Sequence, residues 1–425
     1  MKRRNTISIL LCALGAMSVS AQENVAFSGT YYVDGNVEND YVYRSHVAIE
    51  AVKAGQSVAV GDNGAKLVLT AIRLTKTGGM VADDNERTLY GVNSAVVSAH
   101  ASDLLLEECD ITCHIDGANG VAATGEGSKL KMQEGTVTVS REKSAGISAM
   151  SGGLAEAEGT QVTCYSNQSP AVLAGVGGTV KVTGLKGTTG GIGSPLFASQ
   201  GRIEASDCKM ETNGSQLVSI IGGGYAGLEK CTLTSQQYCG MMLFNNTDEK
   251  APETGNLTIR NSKITVKDGP LFYVTNTDAE IHLTGTSFQA GDILLTAKAD
   301  DWGIKGQNGG HVLLQADKQS MRGEIVIDSI SSVTVQIDDA DFYGSINTAA
   351  NTCAEGRVIM NKGATWTVMK DSYIKSIEFE EPFEKVLKKI SGSGNVYYDA
   401  ADARNAYLGG KEYKLGDKGM LRPWN

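Results

Sequence analysis

Two short runs carry the residues best suited to chemistry. Asn276-Thr277-Asp278 is followed, 22 residues after its acid, by Asp300-Asp301, and Trp302 comes next. Paired carboxylates are what glycosidic hydrolysis needs: one protonates the leaving oxygen, the other activates water or attacks the sugar. Together with Asp248 and Glu249 upstream, the same acids form an oxygen-rich set that suits a bridging Ca2+ ion. An indole beside carboxylates and amides also suits stacking on a sugar ring. The candidate ligand-binding residues are therefore Asp248, Asp278, Asp300, Asp301 and Trp302. If the protein is an enzyme, Asp278, Asp300 and Asp301 are its catalytic set. The plainer alternative is a pair of solvated surface loops, with Trp302 folded back over the chain beneath it.

Other chemistry finds less support. A lyase would use Lys298 or Lys305 as base near calcium-held acids, and no ordered motif surrounds them. The histidines at positions 46, 100, 114, 282 and 311 are scattered, and none forms a visible set with Ser and Asp for nucleophilic catalysis. Gly222-Gly223-Gly224 lacks the strand and helix context of a nucleotide site. No Cys/His cluster has zinc spacing, so no metal ligands are assigned.

These residues sit in a repeat. Related segments begin at Leu104, Leu130, Leu154, Val180, Ile203, Ala226, Leu257, Ile281, Val312, Val333 and Val358, with a looser copy at Leu67. Leu104 to Val358 is 254 residues over ten intervals, a mean of about 25. Each copy reads as three short alternating runs separated by Gly, Asn or Ser, which is the pattern of strands and turns. Three strands in about 25 residues make one coil of a parallel β-helix, whose coils bury their inner faces only by stacking. The prediction is an all-β, single-stranded parallel β-helix of about twelve coils. The 22-residue spacing then puts Asp278 and Asp300 on adjacent coils at one corner. Two long final turns, at 247–256 and 299–310, project from that corner.

The sixth position of each copy is mostly small: Cys109, Gly135, Gly159, Leu185, Cys208, Cys231, Ser262, Thr286, Asp317, Asp338 and Gly363. Cysteine is a small, readily buried side chain. Cys109, Cys208 and Cys231 thus read as a row of buried free thiols. Cys208 and Cys231 would lie on neighbouring coils, which leaves a disulfide between them open.

Composition agrees with many strands and turns. Glycine is 51 of 425 residues and proline only 6, which excludes collagen and Pro-rich linkers. Residues 1–21 read as a signal peptide: Lys2, Arg3 and Arg4, then an apolar run, then Val19-Ser20-Ala21. Without those three cations the formal charge falls from −10 to −13. An acidic chain excludes nucleic acid as partner, since that needs a basic face. No later run is apolar enough to span a bilayer, so membrane insertion is not expected. Four segments follow: signal peptide 1–21, N-terminal cap 22–66, β-helix 67–394 and C-terminal cap 395–425.

A family resemblance adds to this. The run GATWTVMKDSYIKSIEF at 363–379 resembles the Trp-containing coil near the end of autotransporter passenger β-helices of the pertactin type. Residues 321–346 and the tail VYYD…GGKEYKLGDKGMLRP resemble bacterial surface β-helix adhesins. The resemblance implies a right-handed, pectin-lyase-like helix and a non-catalytic role in adhesion. The membrane barrel of autotransporters is not found. Polysaccharide hydrolases on β-helices are similar to one another in a fixed order of motifs, and here that order breaks. Gly309-Gly310-His311 comes too soon, and Arg357 is followed by Val-Ile-Met, not by the expected Lys. The expectation is an exported monomer, at the cell surface, in the periplasm or released. It would present a rod that binds an extracellular glycan or a surface protein. A carbohydrate-active enzyme is the alternative.

Overall fold

The computed structural model describes residues 25–37, 42–79, 90–237, 239–247 and 254–424. The reading of 1–21 as a signal peptide lies outside the described residues, as does Asp248. The chain is an all-β parallel β-solenoid of about 15 turns. It divides into two compact units, Met1–Val218 and Ser219–Asn425.

In the first unit each coil has three strands. The first coil is Gly29–Asp34, Val42–Ser45 and Ala48–Ala51. It pairs in parallel register with Ser57–Asp62, Lys66–Thr70 and Arg73–Lys76. The solenoid therefore begins within the stretch read as a cap, and this is one source of the coils beyond twelve. Its tyrosines and charges hide the alternation that betrays later coils.

The alternation itself sets the core. On the second face Leu67, Leu104, Leu130, Ala155, Val180 and Ile203 stack in register, all buried. The repeat start at Leu154 is thus one residue early: Leu154 pairs with Lys129 and is only half-buried, while Ala155 fills the core row. A one-residue slip exchanges inside for outside because the side-chain period is two. Outward, the third face carries a row of threonines, Thr75, Thr112, Thr138, Thr163 and Thr188, β-branched residues that suit a pleated surface.

Between the second and third strands each coil bends at a left-handed residue: His46, Ala71, Glu108, Glu134 (with Gly135), Gly159, Gly184 and Asp207. The next residue turns inward at Ile72, Cys109, Thr160, Leu185 and Cys208, which is the slot read from the sequence except in the copy from Leu154, where Gly159 is the bend and Thr160 fills the slot. Cys109 and Cys208 occupy it, both buried and neither in a disulfide. Cys113 and Cys164 lie in another inward row, on the third face, with Lys76 and Val139.

The second unit repeats the design and then changes it. The bend recurs at Lys230, Asn261, Gly285, Lys318 and Asp339. Cys231, Ser262, Thr286 and Gln319 follow it, and Cys231 is buried as a thiol, outside any disulfide. No Cys208–Cys231 disulfide forms. The repeat starts at Val312 and Val358 are each two residues out of register: Ile281 pairs with Leu314, and Val335 with Val358. A slip of two keeps the same face, so the core row survives it.

The third face of this unit is short. Its strands are Thr232–Ser235, Lys263–Val266 and Ser287–Gln289, and there it ends. From Ser320–Ile327 the first-face strands lengthen, and the coils through Glu355–Met360 have two long strands each, followed by shorter strands from Thr365–Val368. Phe342 and Trp366 stack inside these coils at 5.9 Å and are fully buried. Ser376–Phe379 and Ile390–Gly392 add further turns past 358. A four-stranded sheet closes the unit, made by Ser372–Ile374, Val396–Asp399, Met420–Trp424 and the antiparallel Tyr413–Lys414. A single helical turn, Phe383–Val386, follows Pro382.

Candidate functional site

The second unit contains the acidic corner singled out by the sequence. Asp300 is engaged there. Its carboxylate accepts the Tyr273 hydroxyl, and its other oxygen accepts the Asp301 N–H at 2.9 Å. Burial and then this carboxylate raise the Tyr273 phenol well above its ordinary value, so it stays a donor. Asn308 clamps the loop by donating to the carbonyls of Asp300 and Trp302, each at 2.7 Å. Trp302 stacks on the buried Phe244 at 5.0 Å and is half-buried. Asn276, itself in the left-handed region, donates to the carbonyls of Asn245 and Thr247. Gly303 packs on Asn276 so closely that a Cβ would fall 2.3 Å from its Oδ1.

Of the five candidates, Asp300 and Trp302 are therefore spent on holding the loop to the coil. Asp301 is exposed. Asp278 lies half-buried in the strand Thr277–Thr284. Among the described residues no group of three or more His, Cys, Asp and Glu could hold a metal ion.

The register brings together a row that sequence reasoning missed. Asp278 lies opposite His311, and His311 opposite Ser332, on three successive coils. His311 Nδ1 is 2.9 Å from Ser332 Oγ. The pairing is invisible until the two-residue slip at Val312 is known. Acyl transfer also needs free N–H donors for an oxyanion. The nearest strand amides are committed to the ladder, and the Gly310 N–H donates to Ser331 Oγ.

The feature with free chemistry lies where the third face ends. A cleft of about 820 Å3 opens there, with Phe288, Arg322, Glu324, Tyr343, Met369 and Lys370 among its lining residues. That volume falls in the range of about 300–1,000 Å3 typical of ligand sites. Arg322 and Tyr343 are register partners on adjacent strands. Tyr343 is 41% exposed and Met369 51%. Glu324 is neutralised by Lys370, at 3.1 Å, and accepts the Thr348 hydroxyl. The Arg322 side chain is exposed and makes no hydrogen bond or ion pair with any described residue. Gly323 lets the wall bend: its φ is +128°, and a Cβ there would lie 2.7 Å from the Leu294 nitrogen.

No family model, no curated protein and no solved structure matches the chain. The likeness to autotransporter passengers thus rests on the quoted segments and the solenoid fold alone.

Proposed function

We propose that this is an exported, non-catalytic recognition protein, adhesin-like in role. Its binding element is the cleft in the second unit, and its ligand is an extracellular glycan or a surface protein. The observation that carries the reading is the unpaired Arg322 guanidinium beside the half-exposed Tyr343 at an open cleft. An exposed cation flanked by an aromatic face and a thioether is a recognition surface rather than a core feature. The engagement of Asp300 by Tyr273 supports the non-catalytic side, because a hydrolase with Asp300 as its general acid would ask that carboxyl to exchange protons with substrate. Calcium at the corner has no described cluster to rest on, so the cleft is the better ligand site.

The test compares wild type with Arg322→Glu on a glycan array and on immobilised extracellular proteins. Ligands lost by the variant, with thermal unfolding unchanged, support the cleft. Ligands bound equally by both would remove it as the binding element. Shortening of any polysaccharide incubated with the wild type and calcium would overturn the non-catalytic reading.

A further inference from the structure

The cleft is a gap in hydrogen bonding as well as in shape. Its upper end is closed by Gln319, whose side-chain amide accepts the Thr286 N–H at 2.7 Å and donates to the carbonyls of Thr286 and Ser320. Its lower end is closed where the Glu324 N–H donates to the Asp292 carbonyl at 2.8 Å. Between these points no backbone hydrogen bond joins residues 287–291 to residues 320–323 among those described.

Both lips are free sheet edges. Ser287–Gln289 is the last strand of the third face and has a neighbour on one side only. Residues 320–323 pair with the strand Asp341–Ile346 on one side, and pairing on the other side begins only at Glu324. Alternation along a parallel strand fixes which groups face the gap. The Ser287 N–H is spent on the Ser262 carbonyl, so the N–H and C=O of Phe288 point into the cleft. The Asp341 N–H takes the Gln319 carbonyl, so those of Arg322 point in from the other lip. The lip of four residues matches about 13 Å of extended chain.

We propose that the cleft accepts an extended polypeptide segment that adds as a strand between these lips. This deepens, and rests on, the reading of the cleft as the binding element. Main-chain bonds to Phe288 and Arg322 supply the affinity, as in other strand-addition complexes. A carboxylate of the incoming strand meets the Arg322 guanidinium, and an apolar side chain covers Tyr343 and Met369. A glycan would stack on Tyr343 alone, whereas the N–H and C=O pair that each lip turns toward the gap, on Phe288 and on Arg322, complements the main chain of another strand.

The test selects a phage-displayed library of random octapeptides on the full chain, with Arg322→Glu as the counter-selection. The expected result is enriched peptides that carry an acid among alternating apolar residues. N-methylation of a central amide should weaken their binding about tenfold or more. Deuterium exchange at the Phe288 and Arg322 amides should slow on binding. No enrichment over Arg322→Glu, or indifference to N-methylation, overturns the proposal. A glycan bound by wild type and not by Arg322→Glu keeps the cleft as binding element while overturning the strand. Absence of any ligand of either kind overturns both.

Discussion

Lys76 and Cys113 face each other across adjacent coils, in register, in the interior of the first unit. Lys76 is fully buried, and its ammonium reaches the carbonyls of Gln56 and Gly78. Desolvation lowers its pKa to about 8. The folded protein thus sheds this proton earlier than the unfolded chain does. Between about pH 8 and pH 10.5 the unfolded state binds the extra proton, so this group's contribution to stability rises with pH. Urea unfolding of wild type and Lys76→Met at pH 7 and pH 9.5 should show the gap shifting toward wild type at the higher pH. An unchanged gap would refute the assignment.

The thiols should divide sharply by reactivity. Burial raises Cys113 to about 11 and both Cys164 and Cys239 to about 12. Cys353 alone of the seven described cysteines is exposed. The thiolate is the reactive form. Among these seven, Cys353 should react rapidly with a thiol reagent in the folded protein, and Cys353→Ser should remove that fast phase. The other six should react only on unfolding.

Gly187 can be nothing else. Its φ is +151°, and a Cβ there would lie 1.7 Å from the Val162 carbonyl oxygen. Gly187→Ala should cost about 2–4 kcal/mol, from strain and overpacking together. Denaturant unfolding followed in the first unit measures it. A loss below about 0.5 kcal/mol, the scale of ordinary surface changes, would contradict the geometry.

Trp366 is the largest fully buried side chain, stacked on Phe342 with its indole N–H donated to the Gly344 carbonyl at 3.1 Å. Trp366→Ala should destabilise by about 3–5 kcal/mol. Trp366→Phe should recover much of that, because only the hydrogen bond and part of the volume are lost. Equal losses in the two variants would mean that packing does not dominate here.

Much of the fold was legible because a solenoid writes its period into the chain. The core rows at Leu104, Leu130, Val180 and Ile203 fall where alternation placed them. The slips at Leu154, Val312 and Val358 were not legible, since either register leaves apolar residues at the chosen positions. The outer coils were hidden by their own polarity. The corner acids were visible as a cluster, but nothing in the sequence tells that Asp300 would be claimed by Tyr273, a contact between neighbouring coils. The cleft was the least legible feature. It arises from a missing strand, and Arg322 and Tyr343 stand out only once the third face is seen to stop.

The left-handed residue that recurs at the same bend in every coil of the first unit has a genetic consequence. Each coil enters and leaves its neighbours through the same geometry, so a coil behaves as a unit of inheritance. Residues 129–153 could be excised so that the strand Leu154–Glu158 takes the place of Lys129–Gln133, with Ala155 arriving against Leu104 where Leu130 had been. In-frame duplication or loss of such a block changes the protein's length in quantised steps while leaving every junction of the kind the fold already uses.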